Sequence, residues 1–214
     1  GVKHFVFAST CSNYGRMVDP DILIDEESEL NPLSVYAETK VGTERSLLDM
    51  SSKDTLGVTV LRFATLFGLS PRVRLDLTVN EFTTELMATR KLSVFGEQFW
   101  RPYVHVRDAA RAIVLVLNSP ASKVEGKVFN VGDTNQNYTK GGLVQEICDR
   151  IGGEFDIERV RKEEDPRDYR VSFEKIKQEL DFKITRTVSD GIEEIVDAVN
   201  QGALADLDNP RYRN

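Results

Sequence analysis

The chain has 214 residues, with 35 acidic against 28 basic side chains and a formal net charge of −7. At 40% hydrophobic and 29% charged it has the composition of an ordinary globular protein of one domain or slightly more, and its acidic balance argues against a nucleic-acid binder, which needs a basic stripe. No apolar run approaches the ~20 residues needed to cross a membrane, and the two cysteines, Cys11 and Cys148, stand in no metal-ligand spacing and are too few for a disulfide scaffold, which points to a reducing cytoplasm and no metal.

Taken in order, His4 to Ala8 is a short β-prone apolar run that ends in Ser9-Thr10-Cys11-Ser12. It reads as a buried parallel strand with hydroxyls at its carboxyl end, where open α/β sheets bind their ligands. Asn13 to Leu33 is a polar, acidic connection of about twenty residues, a length usual for a functional loop or a disordered one. A helix follows from a Ser34 cap to about Met50, with Val41, Leu47 and Leu48 on its core face. Gly57 to Phe67 reads as one strand closed by Gly68, and Arg72 to Lys91 as a helix.

Short strands are expected at Leu92 to Phe95 and Tyr103 to Val106, then an apolar helix from Asp108 through Leu117 and a strand at Lys127 to Val131. A helix (Thr139 to Ile151), a strand (Phe155 to Val160), a charged stretch (Arg161 to Asp168) and helices at Ser172 to Leu180 and Val188 to Gln201 complete the chain. The tail from Asp206 is polar and reads as irregular. Strands alternating with helices through the first 130 residues argue for a parallel α/β sheet. No Gly-x-Gly-x-x-Gly phosphate turn follows an early strand.

The chemistry concentrates at Tyr36-Ala37-Glu38-Thr39-Lys40. On a helix, Tyr36 and Lys40 share a face one turn apart. A phenol with an ordinary pKa of about 10 is a poor acceptor at neutral pH. An ammonium beside it favours the phenolate, giving a base suited to oxidising an alcohol.

Four motifs occur in order: Phe7-Ala8-Ser9-Thr10-Cys11-Ser12-Asn13-Tyr14-Gly15, Tyr36-Ala37-Glu38-Thr39-Lys40, Leu61-Arg62-Phe63 and Trp100-Arg101-Pro102-Tyr103-Val104-His105-Val106-Arg107-Asp108. Together they resemble the extended short-chain dehydrogenase/reductase family, in particular its NAD-dependent nucleotide-sugar epimerases and dehydratases. The resemblance implies the C-terminal part of a Rossmann-type parallel sheet plus a small α/β substrate-binding domain. Residues 1–68 would hold late strands and the catalytic helix, 69–102 a substrate-domain insertion, 103–135 the return to the sheet, and 136–214 the C-terminal substrate-binding domain. It implies Tyr36 as base, Lys40 as the group that lowers its pKa and holds the nicotinamide ribose, and Thr10 as hydrogen-bond partner of the sugar hydroxyl. NAD or NADP would lie against Tyr36, Lys40, Ala8, Ser9, Phe63, Thr65 and Leu66. The substrate, a nucleotide-diphosphate sugar, would meet Thr10, Cys11, Ser12, Thr65, Leu77, Arg101 and Arg167, with Arg170 as the alternative to Arg167.

Departures from the family pattern narrow the reaction. The family's dehydratases carry Asp-Glu right after the Thr, where this chain has Cys11 and Ser12. That disfavours dehydration and leaves hydride transfer at sugar C4, as in 4-epimerases and ketoreductases. Cys11 either reaches the site or is a small buried side chain. His105 reads as a strand residue satisfied internally, and Trp100 as a lid or packing residue. The family's glycine turn and ribose-binding acid would lie before Gly1, so roughly a hundred residues of the full pattern belong to a longer chain or a separate one. The alternatives are a dehydratase-like enzyme and a catalytically silent binding module of the same fold. A homodimer through the Tyr-x-x-x-Lys helix is the expected assembly.

Overall fold

Two β-prone runs, His4–Thr10 (β1) and Gly57–Phe63 (β2), lie parallel with His4 opposite Gly57 and Thr10 opposite Phe63. A computed structural model describes the chain apart from residues 18, 20, 21, 53–55, 164, 166, 167, 205, 208 and 214. The helix Val35–Ser52 (α1) makes the crossover between the two strands. It starts where Ser34 Oγ accepts a hydrogen bond from the Ala37 amide at 3.2 Å, the cap expected from the sequence. On the other side of β2 lies Lys127–Val131 (β6), also parallel, giving the order β1-β2-β6. The central strand is the apolar one, with Val58 through Arg62 buried on both faces.

The run read as one strand from Gly57 to Phe67 is two. Ala64 still donates its amide to the Val131 carbonyl at 3.1 Å. The chain then leaves the first sheet, and Thr65–Phe67 (β3) pairs in parallel with Trp100–His105 (β5). β5 in turn pairs antiparallel with Asn137–Thr139 (β7), so the sequence placed the start of β5 late and omitted β7. A third, two-stranded sheet joins Lys91–Phe95 (β4) to Asp156–Val160 (β8) in parallel.

The helix expected from Arg72 begins only at Thr78 and runs to Thr89 (α2). Side chains compete with helical bonding over the preceding residues. The Arg74 guanidinium grips Asp76 through two bonds of 2.6 and 2.7 Å, while Asn80 accepts from the Gly68 amide at 2.9 Å and donates to the Arg74 carbonyl at 2.9 Å. The remaining helices are Val106–Asn118 (α3), the short Ala121–Val124 (α4), Lys140–Ile151 (α5), Glu174–Leu180 (α6) and Val188–Asn200 (α7). No helix among the described residues is long and apolar enough to cross a membrane.

Separate cores form under this arrangement. Leu61, Val116, Phe129, Ile176 and Phe182 fill the first, so α6 packs with the β1-β2-β6 sheet although it comes from the last quarter of the chain. Leu86, Leu143, Ile147, Ile192 and Tyr103 fill the second, between α2, α5, α7 and β5. Cys11, Tyr14, Ala64, Val104, Tyr169 and Val171 form a third beneath the ends of β1 and β2. The tail is not irregular throughout. Pro210–Tyr212 makes a 3-10 turn, Tyr212 is buried, and its carbonyl accepts from the Leu75 amide at 2.7 Å, because Leu75, Val73 and Leu204 offer its ring an apolar seat.

Helix α7 carries a reciprocal cap. Thr187 Oγ1 accepts from the Asp190 amide at 3.2 Å, and the Asp190 carboxylate accepts from the Thr187 amide at 2.7 Å and hydroxyl at 2.8 Å. Those donors hold the Asp190 pKa below the ordinary aspartate value. Its contribution is therefore complete above about pH 4 and is lost as the pH falls through the lowered value. We expect Asp190→Asn to lower the melting temperature at pH 7, with the gap from the parent narrowing in thermal melts as the pH is taken progressively below the ordinary aspartate range. A gap unchanged over that range would exclude the ionised cap.

Candidate functional site

The carboxyl ends of β1 and β2 meet the first half of α1, and the expected chemistry gathers there. Lys40 on α1 reaches across to β1, where its ammonium donates to the Ala8 carbonyl at 2.7 Å. The same nitrogen stands 4.8 Å from the centre of the Phe7 ring and 5.7 Å from that of Tyr36. Tyr36 is 57% exposed, so its phenol faces solvent beside the open edge of β1. Thr10 ends the strand. Its hydroxyl accepts from the Ser12 amide at 3.1 Å and donates to Ser12 Oγ at 3.1 Å, starting the 3-10 turn Cys11–Tyr14. Ser12 Oγ lies 3.3 Å from the Tyr169 hydroxyl.

Other expected contacts are distributed less simply. Ser9 is buried, and its hydroxyl donates to Glu44 Oε1, so its side chain is committed to the interior. Cys11 turns into the core, where its thiol donates to the Arg62 carbonyl at 3.2 Å and burial pushes its pKa up. Of the two expectations for Cys11, the structure places it as the small buried side chain. Phe63 packs against the core below the first sheet, and Thr65 and Leu66 are half-buried in β3. Leu77 is half-buried at the cap position of α2.

Arg101 is buried rather than open to ligand. Its guanidinium lies 2.8 Å from Asp165, whose other oxygen accepts from Lys140 Nζ at 3.0 Å. The Arg170 guanidinium stacks 4.6 Å from the Trp100 ring centre, which makes Trp100 a packing residue. Arg167 lies outside the described residues.

Beneath the site is a buried polar network. Glu44, 1% exposed, accepts from Asn13 Nδ2 at 2.7 Å, from Ser9 Oγ, and from Arg62 Nε and Nη2 at 3.1 and 2.7 Å. Arg62 Nη1 donates to the Tyr14 hydroxyl at 3.0 Å, which donates to Asn130 Oδ1 at 2.7 Å. Burial opposes the Arg62 charge, but its bonds to Glu44 outweigh that and raise its pKa above the arginine norm. Burial also raises the pKa of Tyr14. Of these residues, only Ser9 was expected at the site from the sequence. Glu44 was detectable, because it falls in the helical stripe Ala37, Val41, Glu44, Leu48, where an acid needs a buried partner.

His105 is fully buried and satisfied internally, as expected. Its Nε2 lies 2.9 Å from Glu194, which also accepts from the Leu69 amide at 3.0 Å. Burial raises the Glu194 pKa, and these bonds more than reverse it, leaving the carboxyl below its ordinary range. A cavity of about 660 Å³ lies elsewhere, lined by Leu69, Val73, Leu204 and Tyr212 among others and by none of the expected site residues.

Set against known proteins, residues 1–132 match the family model Epimerase, described as the NAD dependent epimerase/dehydratase family. The UDP-glucose 4-epimerase of Corynebacterium glutamicum is 29% identical over 196 residues, covering 84% of this chain and 58% of that protein. A dTDP-glucose 4,6-dehydratase from Bacillus anthracis, solved in complex with NAD, superposes with a TM-score of 0.79 at 27% identity, over 93% of this chain and 62% of that one. A UDP-glucuronic acid 4-epimerase from Bacillus cereus, solved with UDP-glucuronic acid and NAD, shares the fold at 22% identity, with a TM-score of 0.80 over 92% of this chain and 62% of that one. The chain thus spans about three-fifths of the length of these proteins.

Removing one partner of the Glu44–Arg62 pair strands a buried charge. We expect Arg62→Met to destabilise the protein by about 3–5 kcal/mol in urea unfolding. Adding Glu44→Leu should recover part of that loss, and strictly additive losses would show that the pair is not coupled.

Proposed function

The chain belongs to the NAD dependent epimerase/dehydratase family, and from that membership we propose that the protein is an NAD(P)-dependent nucleotide-sugar 4-epimerase or ketoreductase. The observation that carries this reading is the Lys40 ammonium, held on the Ala8 carbonyl beside the Tyr36 ring and two residues before Thr10. In it, Tyr36 takes the proton of the sugar C4 hydroxyl, and Lys40 keeps positive charge beside the phenol. Thr10 turns its hydroxyl from Ser12 towards the sugar oxygen and orients it.

The residues present fit the nicotinamide-ribose end of the cofactor. An exposed phenol and an ammonium fixed at the strand edge stand over the carboxyl end of a parallel sheet, where such ligands bind. Tyr36, Lys40, the backbone at Ala8 and Ser9, and the Thr65–Leu66 segment would hold that end. When bound, the cofactor accepts the C4 hydride and returns it. Removing the hydroxyl proton at Tyr36 and giving it back is the protein's share of both directions.

The relatives named above act on or bind UDP- and dTDP-sugars, which supports a nucleotide-diphosphate sugar as substrate. Its diphosphate would engage Arg101 only by sharing or displacing the Asp165 carboxylate. Redox chemistry at C4 is favoured over dehydration by the position after Thr10. The Cys11 thiol there is buried, bonded to a carbonyl and hard to ionise, so it supplies no acid or base for water elimination.

Tyr36→Phe in the full-length protein is the direct test. Its exposed phenol contributes little to folding, so the variant should stay folded while interconversion of UDP-glucose and its C4 epimer falls about 10²–10⁴-fold. Turnover equal to the parent's would sink the reading.

A further inference from the structure

The network beneath the site has a geometry that packing alone does not require. Helix α1 touches the end of β1 at two successive residues through two side chains one helical turn apart. Lys40 donates to the Ala8 carbonyl, and Glu44 accepts from the Ser9 hydroxyl. Two attachments separated by about 6 Å along a helix axis set both its rotation and its slide against the strand. Glu44 also takes the Asn13 amide at 2.7 Å, and that amide nitrogen bonds Ser9 Oγ at 3.1 Å. Ser9 precedes Thr10 and Asn13 lies in the turn that follows it. Thr10 is therefore held from both sides by one carboxylate on the helix that carries Tyr36 and Lys40.

We propose that Glu44 is a positioning residue for the reaction, fixing the Thr10 hydroxyl relative to the Tyr36 phenol through Ser9 and Asn13, with Arg62 keeping its carboxylate in place. The proposal rests on the function argued above. Glu44 touches neither substrate nor cofactor, and it acts on the spacing between two groups that do. Arg62 fits the role because its guanidinium binds Glu44 through both Nε and Nη2 and is itself anchored on the far side by the Tyr14 hydroxyl, which in turn donates to Asn130. The carboxylate consequently cannot swing towards α1 without breaking bonds to three other elements. Substrate and cofactor would still find their binding surfaces if Glu44 were altered. What would suffer is the alignment of the proton acceptor with the oriented hydroxyl, which is a requirement of the chemical step.

The test is Glu44→Gln in the full-length protein. The amide has the same shape, but its NH2 opposes the Arg62 donors or abandons those from Ser9 and Asn13. We expect kcat to fall about tenfold or more, with KM for the nucleotide sugar kept within about threefold and the cofactor still bound. Hydrogen exchange should rise both at residues 9–14 and at 35–40. An unchanged kcat, or equal losses in kcat and 1/KM without faster exchange at 9–14, would overturn the proposal. If Glu44→Gln does not fold, Ser9→Ala, which deletes one hydroxyl, is judged by the same readouts with a smaller drop in kcat. If the unaltered protein and Tyr36→Phe are equally inactive on nucleotide sugars, the functional reading has failed. The exchange measurement then still decides whether Glu44 couples α1 to the turn: a rise at 9–14 keeps the coupling, and no rise removes it.

Discussion

Glu44 has no route to water, and much of the site depends on how its charge is met. A carboxylate taken into the interior loses several kcal/mol of hydration, roughly, unless a cation and further donors replace it. Here the cation is Arg62 on β2, and the further donors are Ser9 at the end of β1 and Asn13 in the turn beyond it. One helix, two strands and a turn are thereby registered against one another. A hydrophobic contact could hold the same elements together, but it would let them slide. Charge-assisted hydrogen bonds have direction, and so they fix the register of the helix that carries Tyr36 and Lys40.

The same device recurs away from the site, with different partners. Asp108, fully buried at the start of α3, accepts from the Thr185 and Arg186 amides and from the Thr185 hydroxyl, and so binds the segment ahead of α7 to α3. Glu194 on α7 binds His105 and the Leu69 amide, fixing the loop that leaves β3. Gly191, one turn before it, leaves room for the Phe67 ring to lie against the helix. These contacts tie α7 and the segment before it to α3, to the end of β5 and to the loop after β3. Glu44 and Asp108 are buried acids that fasten elements together, Glu194 is half-buried, and Tyr36 stays exposed.

Arg101 illustrates how burial changes the meaning of a motif residue. As a residue type and position it suggests phosphate binding, since the guanidinium fork suits phosphate oxygens. In the folded chain it lies 2.8 Å from Asp165, itself shared with Lys140. The pairing places an anion already on the arginine, so a diphosphate must compete with a carboxylate from the protein itself. Cys11 underwent a similar change, from a candidate contact to a core side chain, because the 3-10 turn after Thr10 points its sulfur at β2.

The sequence by itself determined the parallel α/β class, nearly every helix and strand of the first sheet, the Ser34 cap and the pairing of Tyr36 with Lys40. All of these rest on interactions within a few residues, where periodicity and spacing are direct readouts of geometry. It did not reveal that the run from Gly57 to Phe67 divides at Ala64, that α2 waits until Thr78, or that Tyr212 packs beneath Leu75. Two of those are decided by partners far along the chain, the Val131 carbonyl for Ala64 and an apolar seat for the tail. The late start of α2 comes from side-chain bonds of Arg74, Asp76 and Asn80 that helical periodicity does not report. The candidate site divides along the same line. Tyr36, Lys40 and Thr10, on one helix and one strand end, were legible as motifs. The Glu44–Arg62–Tyr14–Asn130 network beneath them was left to the tertiary structure, because residues 44, 62, 14 and 130 become neighbours only when three parallel strands and a crossover helix have closed around them.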